Sequence, residues 1–342
     1  MRARDLGIVL GELEPGPLNA ITDVGGVRVG HCTLIEGADV RTGVTVVVPG
    51  ELPVFAAPFR LNGNGEMTGL EWVRESGLLT TPIGLTNTHS VGAVHEALVA
   101  AAVEQDGSAW SLPVVAETWD GVLNDINGFH VRPEHAREAL ARAAAGPIAE
   151  GSVGGGTGMI CHGFKGGIGT SSRAADGWTV GVLVQANHGA RRRLEIGGVP
   201  VGREIGADRI PTPPRAGEEG EGSIIVLVAT DAPLLPNQCE RLAARAALGI
   251  GRTGGAGENS SGDLVLAFAT ANAGLGATST PIPLEMLPND AMNPLFYGVI
   301  EATEEAIVNA LLAAKTMTGR GGRTVHALDP ELLAEVMRLP SR

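Results

Sequence analysis

Gly251-Arg-Thr-Gly-Gly-Ala-Gly-Glu-Asn-Ser-Ser-Gly-Asp-Leu-Val-Leu-Ala-Phe-Ala269 changes character half-way. Four glycines and an alanine lead to a pair of hydroxyls, Ser260 and Ser261, and a continuous apolar run follows at once. The run reads as a strand buried on both faces, and the glycines before it read as a loop. Asn-Ser-Ser-Gly-Asp is also ordinary turn chemistry, so the junction alone does not settle a function. It does suit one reaction. A serine hydroxyl needs a base to take its proton. If the chain breaks before that serine, the freed α-amine, with a reference pKa of about 7.7–8.0, can be that base. Small residues before Ser261 suit the bend that an N-to-O acyl shift requires.

Outward from this junction the chain is rich in strands. Arg41–Pro49, Ile83–Asn87, Val114–Thr118, Trp178–Asn187 and Ser223–Ala229 are β-branched or continuously apolar. Helices are expected over 66–76, 90–103, 132–145, 236–247, 294–316 and 330–338. The strands come in runs rather than in regular alternation with helices. That pattern predicts an α+β fold, with sheets packed together and helices outside. Residues 209–222 hold three prolines and several glycines and glutamates, and are expected to be a surface loop. The chain, 1–342, reads as a single domain.

Composition removes several functions. Twenty-five Lys and Arg against 38 Asp and Glu give a net charge of −13, which opposes binding to nucleic acid or an anionic membrane. No apolar run is long enough to span a bilayer. Glycine makes up 50 of 342 residues, about twice the usual share, so close backbone approaches are expected. The three cysteines, Cys32, Cys161 and Cys239, are widely spaced, and the N-terminus lacks a signal-peptide pattern; both point to the cytoplasm. The eight histidines show no metal-ligand spacing, and no phosphate-binding glycine motif is complete, so neither metal nor cofactor is expected.

Several segments together resemble the L-aminopeptidase/D-esterase family, which includes D-aminopeptidase-type amidases and β-aminopeptidases. They are Asn19–His31, Arg41–Thr45, Asn62–Gly69, Thr86–Gly92, Glu117–Gly128, Gly151–Arg173, Val184–Asn187, Ala229–Pro236, Ser261-Gly-Asp263 and Ala302–Ile307. The resemblance implies a precursor that cuts itself between Ser260 and Ser261 into an α chain 1–260 and a β chain 261–342. It implies an αββα sandwich like that of N-terminal nucleophile hydrolases but differently connected, assembled as a homotetramer of αβ pairs. The implied substrates are peptides, amino-acid amides or esters, hydrolysed through an acyl-enzyme on Ser261. Thr303, with Glu305 or Glu304, is the implied hydroxyl and carboxylate pair near the nucleophile. Asn187 is the expected oxyanion donor, and Glu117 the expected counter-ion for the substrate's ammonium. Val122 stands where family members often carry tyrosine. An acyltransferase on a related fold and an unprocessed binding protein are the alternatives.

Overall fold

The computed structural model describes residues 1–212, 222–276 and 278–338. Most of the expected 209–222 loop therefore lies outside the described residues.

Strands β1 (Arg28–Glu36), β2 (Val40–Val48), β5 (Ile83–Asn87) and β6 (Val114–Thr118) form one sheet in the order β1-β2-β5-β6. The second sheet has six strands. It runs β4-β3-β12-β11-β10-β9, with β3 at Val54–Gly63, β4 at Leu78–Leu79 and β9 at Gly167–Ala175. Its β10, β11 and β12 span Trp178–Asn187, Ser223–Thr230 and Gly262–Ala269. The short strands β7 (Ile160–Cys161) and β8 (Phe164–Lys165) form a separate hairpin. Each main sheet holds one parallel pair, β5 with β6 and β11 with β12. Parallel neighbours need a crossover, and helices supply it. After the short α1 (Leu70–Ser76), α2 (Val91–Gln105) links β5 to β6. After α3 (Pro133–Ala141) and α4 (Val201–Glu204), α5 (Pro236–Arg252) links β11 to β12.

The apolar side chains fall into three layers. Leu183, Ile225, Leu227, Leu264 and Leu266 meet Val47, Ile83, Leu85 and Val114 between the two sheets. The alternate residues Val182, Ile224, Val226 and Val265 face the other way, onto α5 and onto α6 (Asn293–Ala313). On the far side, Val44, Val46 and Val115 pack against Val94 and Leu98 of α2 and Ala136 and Ala139 of α3. The period-2 alternation of β11 thus feeds two cores at once, which is why it reads as an unbroken apolar run. The result is a helix–sheet–sheet–helix sandwich, the α+β architecture expected from the order of elements.

From Glu301 to Leu312 helix α6 is buried all round, including Glu301, Thr303, Glu304, Glu305 and Asn309. Buried charges must be matched, and Arg173 of β9 does most of this. Its fully buried guanidinium contacts Glu301 at 3.1 Å and Glu305 at 2.7 Å, and donates to the carbonyls of Leu10 and Ser172.

Candidate active site

Ser261 sits at the head of β12, in the middle of the six-stranded sheet, between β3 and β11. A turn brings the chain there. Its closing bond runs from the Ser261 N–H to the Glu258 carbonyl at 2.8 Å. Ser260 is exposed and Ser261 is 1% exposed, so their shared peptide bond lies where solvent meets core. Gly262 follows, and the tight packing there accounts for it: a Cβ would lie 2.6 Å from the Asn64 carbonyl oxygen. The Gly262 N–H donates to Ser223 Oγ at 3.0 Å, tying the junction to the start of β11.

The Ser261 N–H and hydroxyl and the Ser260 and Ser261 carbonyls are all hydrogen-bonded. The Ser261 hydroxyl donates to Asp263 Oδ1 at 2.5 Å. Burial pushes the Asp263 carboxyl up to about 6, against the opposing pull of the Ser261 hydroxyl. It is therefore ionised at neutral pH and still basic enough to accept a proton. On the other side, Asn64 Nδ2 donates to the Ser260 carbonyl oxygen at 2.7 Å. Asn62 Nδ2 donates to the Ser261 carbonyl oxygen at 2.5 Å and to that of Glu258 at 2.9 Å, fixing the turn from below.

A cavity of about 420 Å³ opens beside this peptide, lined by Ser260, Asn64, Gly65, Glu66, Thr88, Glu117, Trp119, Gly222 and Ser223. Glu117, at the end of β6 in the opposite sheet, is 3% exposed. The Glu66 N–H donates to its Oε1 at 2.9 Å, and the Thr88 hydroxyl donates to its Oε2. Burial raises its pKa, and the Thr88 and Glu66 hydrogen bonds oppose the rise. The carboxylates of Glu66 and Glu117 make this cavity a receptor for a cation.

The structure distributes the expected site residues unevenly. Ser260 and Glu117 line one cavity, and buried Ser261 follows directly behind Ser260. Asn187 does not turn toward the Ser260 carbonyl. Its Oδ1 accepts from the Ile160 N–H at 2.8 Å, and its Nδ2 donates to the Trp119 carbonyl at 3.0 Å, so both ends of the amide hold backbone. Thr303, Glu304 and Glu305 face three directions, as consecutive helical residues must. Thr303 lies against Gly249 of α5. Glu304 meets Arg252 and the Gly197 N–H. Glu305 is held by Arg173, Arg4 and Asn19. Among the described residues, none of the three has a hydrogen bond to Ser261 or its neighbours; they knit α6 to β9, α5 and the N-terminal segment. The residues that do meet the seryl peptide and were not singled out are Asn62, Asn64, Ser223 and Asp263. The Asn62-Gly-Asn-Gly65 loop and the aspartate two residues after the serine were the available signals.

A buried serine opening a central strand, between two sheets that helices cover, defines a hydrolase of the N-terminal-nucleophile sandwich type. The comparisons agree. Residues 19–325 match the model of peptidase family S58. β-Peptidyl aminopeptidase BapA of Sphingosinicella microcystinivorans is 49% identical, covering 98% of this chain and 92% of that protein. The solved β-aminopeptidase of a Burkholderia species superposes with a TM-score of 0.93 at 54% identity, covering 99% and 98% of the two chains. The L-aminopeptidase D-Ala-esterase/amidase of Ochrobactrum anthropi, described as a new variant of the Ntn hydrolase fold, gives 0.91 at 44% identity over 98% of each chain. The chain belongs to peptidase family S58, and it is a hydrolase of the aminopeptidase and amidase kind. Among the described residues no helix is long and apolar enough to cross a membrane.

Proposed function

We propose that this chain cuts itself between Ser260 and Ser261 and then works as an N-terminal-serine aminopeptidase on peptides, amides or esters. The observation that carries this reading is the pair of bonds on one peptide: Ser261 Oγ to Asp263 and Ser260 O to Asn64. In the intact chain Ser261 has no free amine, so Asp263 takes the hydroxyl proton. The Ser261 oxygen attacks the Ser260 carbonyl carbon, and Asn64 supports the oxygen that gains charge. The C–N bond breaks as Asp263 passes that proton to the nitrogen, which leaves as the Ser261 amine, and water hydrolyses the resulting ester. In the mature enzyme that amine is the base for each turnover.

A substrate acyl group would be joined to the same oxygen that carried Ser260, so Asn64 meets its carbonyl in the same place. The ammonium of the substrate's first residue pairs with Glu117. The relatives named for β-peptides support a preference for β-aminoacyl groups, whose ammonium lies about 1.5 Å further from the carbonyl by one C–C bond. The esterase activity named for one relative fits the same acyl-enzyme. Exposed Leu248, Ile282, Leu284, Met286 and Tyr297 support assembly into a tetramer of αβ pairs. Three buried free thiols support a cytoplasmic setting.

The test is denaturing electrophoresis with N-terminal sequencing, followed by turnover of β-alanyl and α-alanyl nitroanilides. Pieces of 1–260 and 261–342, with Ser261→Ala left whole and inactive, are expected. A whole chain that hydrolyses substrate ends the proposal, and α-alanyl turnover alone ends the β preference.

A further inference from the structure

On the helix-covered side of the six-stranded sheet lies a second cluster of reactive side chains, outside the hydrolytic machinery. Cys161 closes β7, His162 follows in the turn to β8, and His188 follows the last residue of β10. All three are buried. One ligating atom from each lies within 4.8 Å of the other two, and Cys161 Sγ is 3.8 Å from His188 Nδ1. The imidazole rings meet edge to face, with centroids 5.1 Å apart.

Hydrogen bonding leaves the cluster unfinished. His162 Nδ1 lies 3.1 Å from the Ala190 carbonyl, which places its proton there and leaves Nε2 with a bare lone pair. Among the described residues that Nε2 has no hydrogen-bond partner. Buried polar atoms are seldom left so. A histidine that donates one nitrogen to a carbonyl while aiming the other at its neighbours has the arrangement of a metal ligand. Burial lowers His162 to about 4 and holds His188 well below the ordinary range, so both rings are neutral donors at physiological pH. Burial pushes the Cys161 thiol up to about 12, so without a cation it keeps its proton.

We infer that Cys161, His162 and His188 form a buried three-ligand site for a thiophilic d10 cation, Zn²⁺ or Cu⁺. Bonds of about 2.3 Å to sulfur and 2.05 Å to nitrogen at a tetrahedral angle place those atoms about 3.6 Å apart, close to the separation of Cys161 Sγ and His188 Nδ1. Thiolate and imidazole select such ions over oxygen-loving ones. Binding replaces the thiol proton: the S–H bond breaks, an S–metal bond forms, and one proton leaves for solvent per ion. Lys165 favours the Cys161 thiolate electrostatically, while Arg191 acts on His162, so a monovalent ion gives the lower net charge there. Clearance for the rings comes from two glycines. A Cβ on Gly189 would lie 2.3 Å from the His162 ring, and one on Gly255 would lie 3.0 Å from that of His188. The ion would pin the β7–β8 turn to the end of β10, whose Asn187 holds the Trp119 carbonyl at the cavity wall.

Because the cluster is buried, the ion is best supplied during folding. The whole chain is refolded with excess Zn²⁺, with Cu⁺ under reducing anaerobic conditions, or with Co²⁺ as an optical probe, then desalted and measured for metal. The expected result is about one ion per chain for Zn²⁺ or Cu⁺, a higher melting temperature, and a near-ultraviolet thiolate-to-cobalt band. Cys161→Ala should lower retained metal at least tenfold and abolish the band, with His188→Phe behaving alike. Equal loading in Cys161→Ala overturns the assignment. So do a parent chain that retains neither Zn²⁺ nor Cu⁺, and one that binds Co²⁺ without a thiolate band. Should the variants not fold, the optical spectrum of the parent decides. None of these readouts depends on hydrolytic activity.

Discussion

Replacing Asn64 by Asp keeps the shape of the side chain and removes the N–H that reaches the Ser260 carbonyl oxygen at 2.7 Å. The rest of the junction stays in place, because the backbone N–H of residue 64 still donates to the Ser261 carbonyl at 3.2 Å. Loss of one donor to a developing oxyanion costs about 10²–10³ in rate. Ser260 is exposed, so water substitutes for part of the lost bond and the lower end applies. A hundredfold slowing corresponds to about 2.7 kcal/mol of barrier. The assay is the appearance of the 1–260 and 261–342 pieces after synthesis of the whole chain, followed by electrophoresis over time. Asn64→Ala serves as a second variant, since an aspartate also places a negative charge beside the carbonyl. Maturation of both variants within about threefold of the parent would refute the assignment of Asn64, because that is less than 1 kcal/mol of a bond that should matter most in the transition state.

Four further outcomes are expected. Self-cleavage should fall as pH drops through about 6, where Asp263 gains a proton and can no longer accept one, whereas turnover by the mature enzyme should fall below about 7–8, with the Ser261 amine; rate profiles of the two steps separate them. Glu117→Gln should lower kcat/KM for free-amine substrates by roughly 30-fold, the equivalent of about 2 kcal/mol for a buried charge pair, while an N-acylated ester is little changed. Glu305→Ala should destabilise the fold by about 3 kcal/mol, because it removes one of the two carboxylates that buried Arg173 meets and the partner of half-buried Arg4, yet leave the cleavage rate of the folded precursor close to the parent's; thermal melts and electrophoresis report the two. Asn187→Ala should likewise act on stability, by about 1–3 kcal/mol, since it orphans the Ile160 N–H and the Trp119 carbonyl.

The strands and most helices were legible because the two sheets share one simple demand. A strand between a sheet and a helix layer must be apolar on both faces, and Ser223–Thr230 and Gly262–Ala269 are written that way. The Ser260–Ser261 junction was legible because loop and strand meet there abruptly. The partners of the junction were not. Asn64 comes from a loop nearly 200 residues earlier, and only the pairing of β3 with β12, Gly63 opposite Gly262, brings it to the Ser260 carbonyl. The contacts of the acidic run of α6 were hidden for a related reason. Two adjacent glutamates read as a solvated face or a catalytic pair, but Arg173, fully buried on β9, ties down Glu305, and Arg252 of α5 pairs with Glu304. A basic residue in the Gly-Thr-Ser-Ser-Arg173 strand was the clue, and its pairing depends on how α6 lies across the sheet.

The position of Ser261 explains how a chain can be cut in its core and remain one body. The new end would be the first residue before a strand hydrogen-bonded on both sides, to β3 and to β11, while the 82 residues from it onward (261–342) include α6, which fills one whole core layer. The proposed cleavage would therefore remove one covalent link and none of the packing. It would also change which base the serine uses. Before the cut the acceptor bonded to its hydroxyl is the Asp263 carboxylate, raised by burial to about 6. After the cut an amine with a reference pKa near 8 is carried by the same residue. The carboxylate then becomes the group that orients the hydroxyl and offsets the charge of the protonated amine. Asp263→Asn should accordingly slow self-cleavage far more than turnover. Were the Asp263→Asn precursor to mature at the parental rate but turn over slowly, these two roles would be reversed, and with them the order in which the site acquires its base.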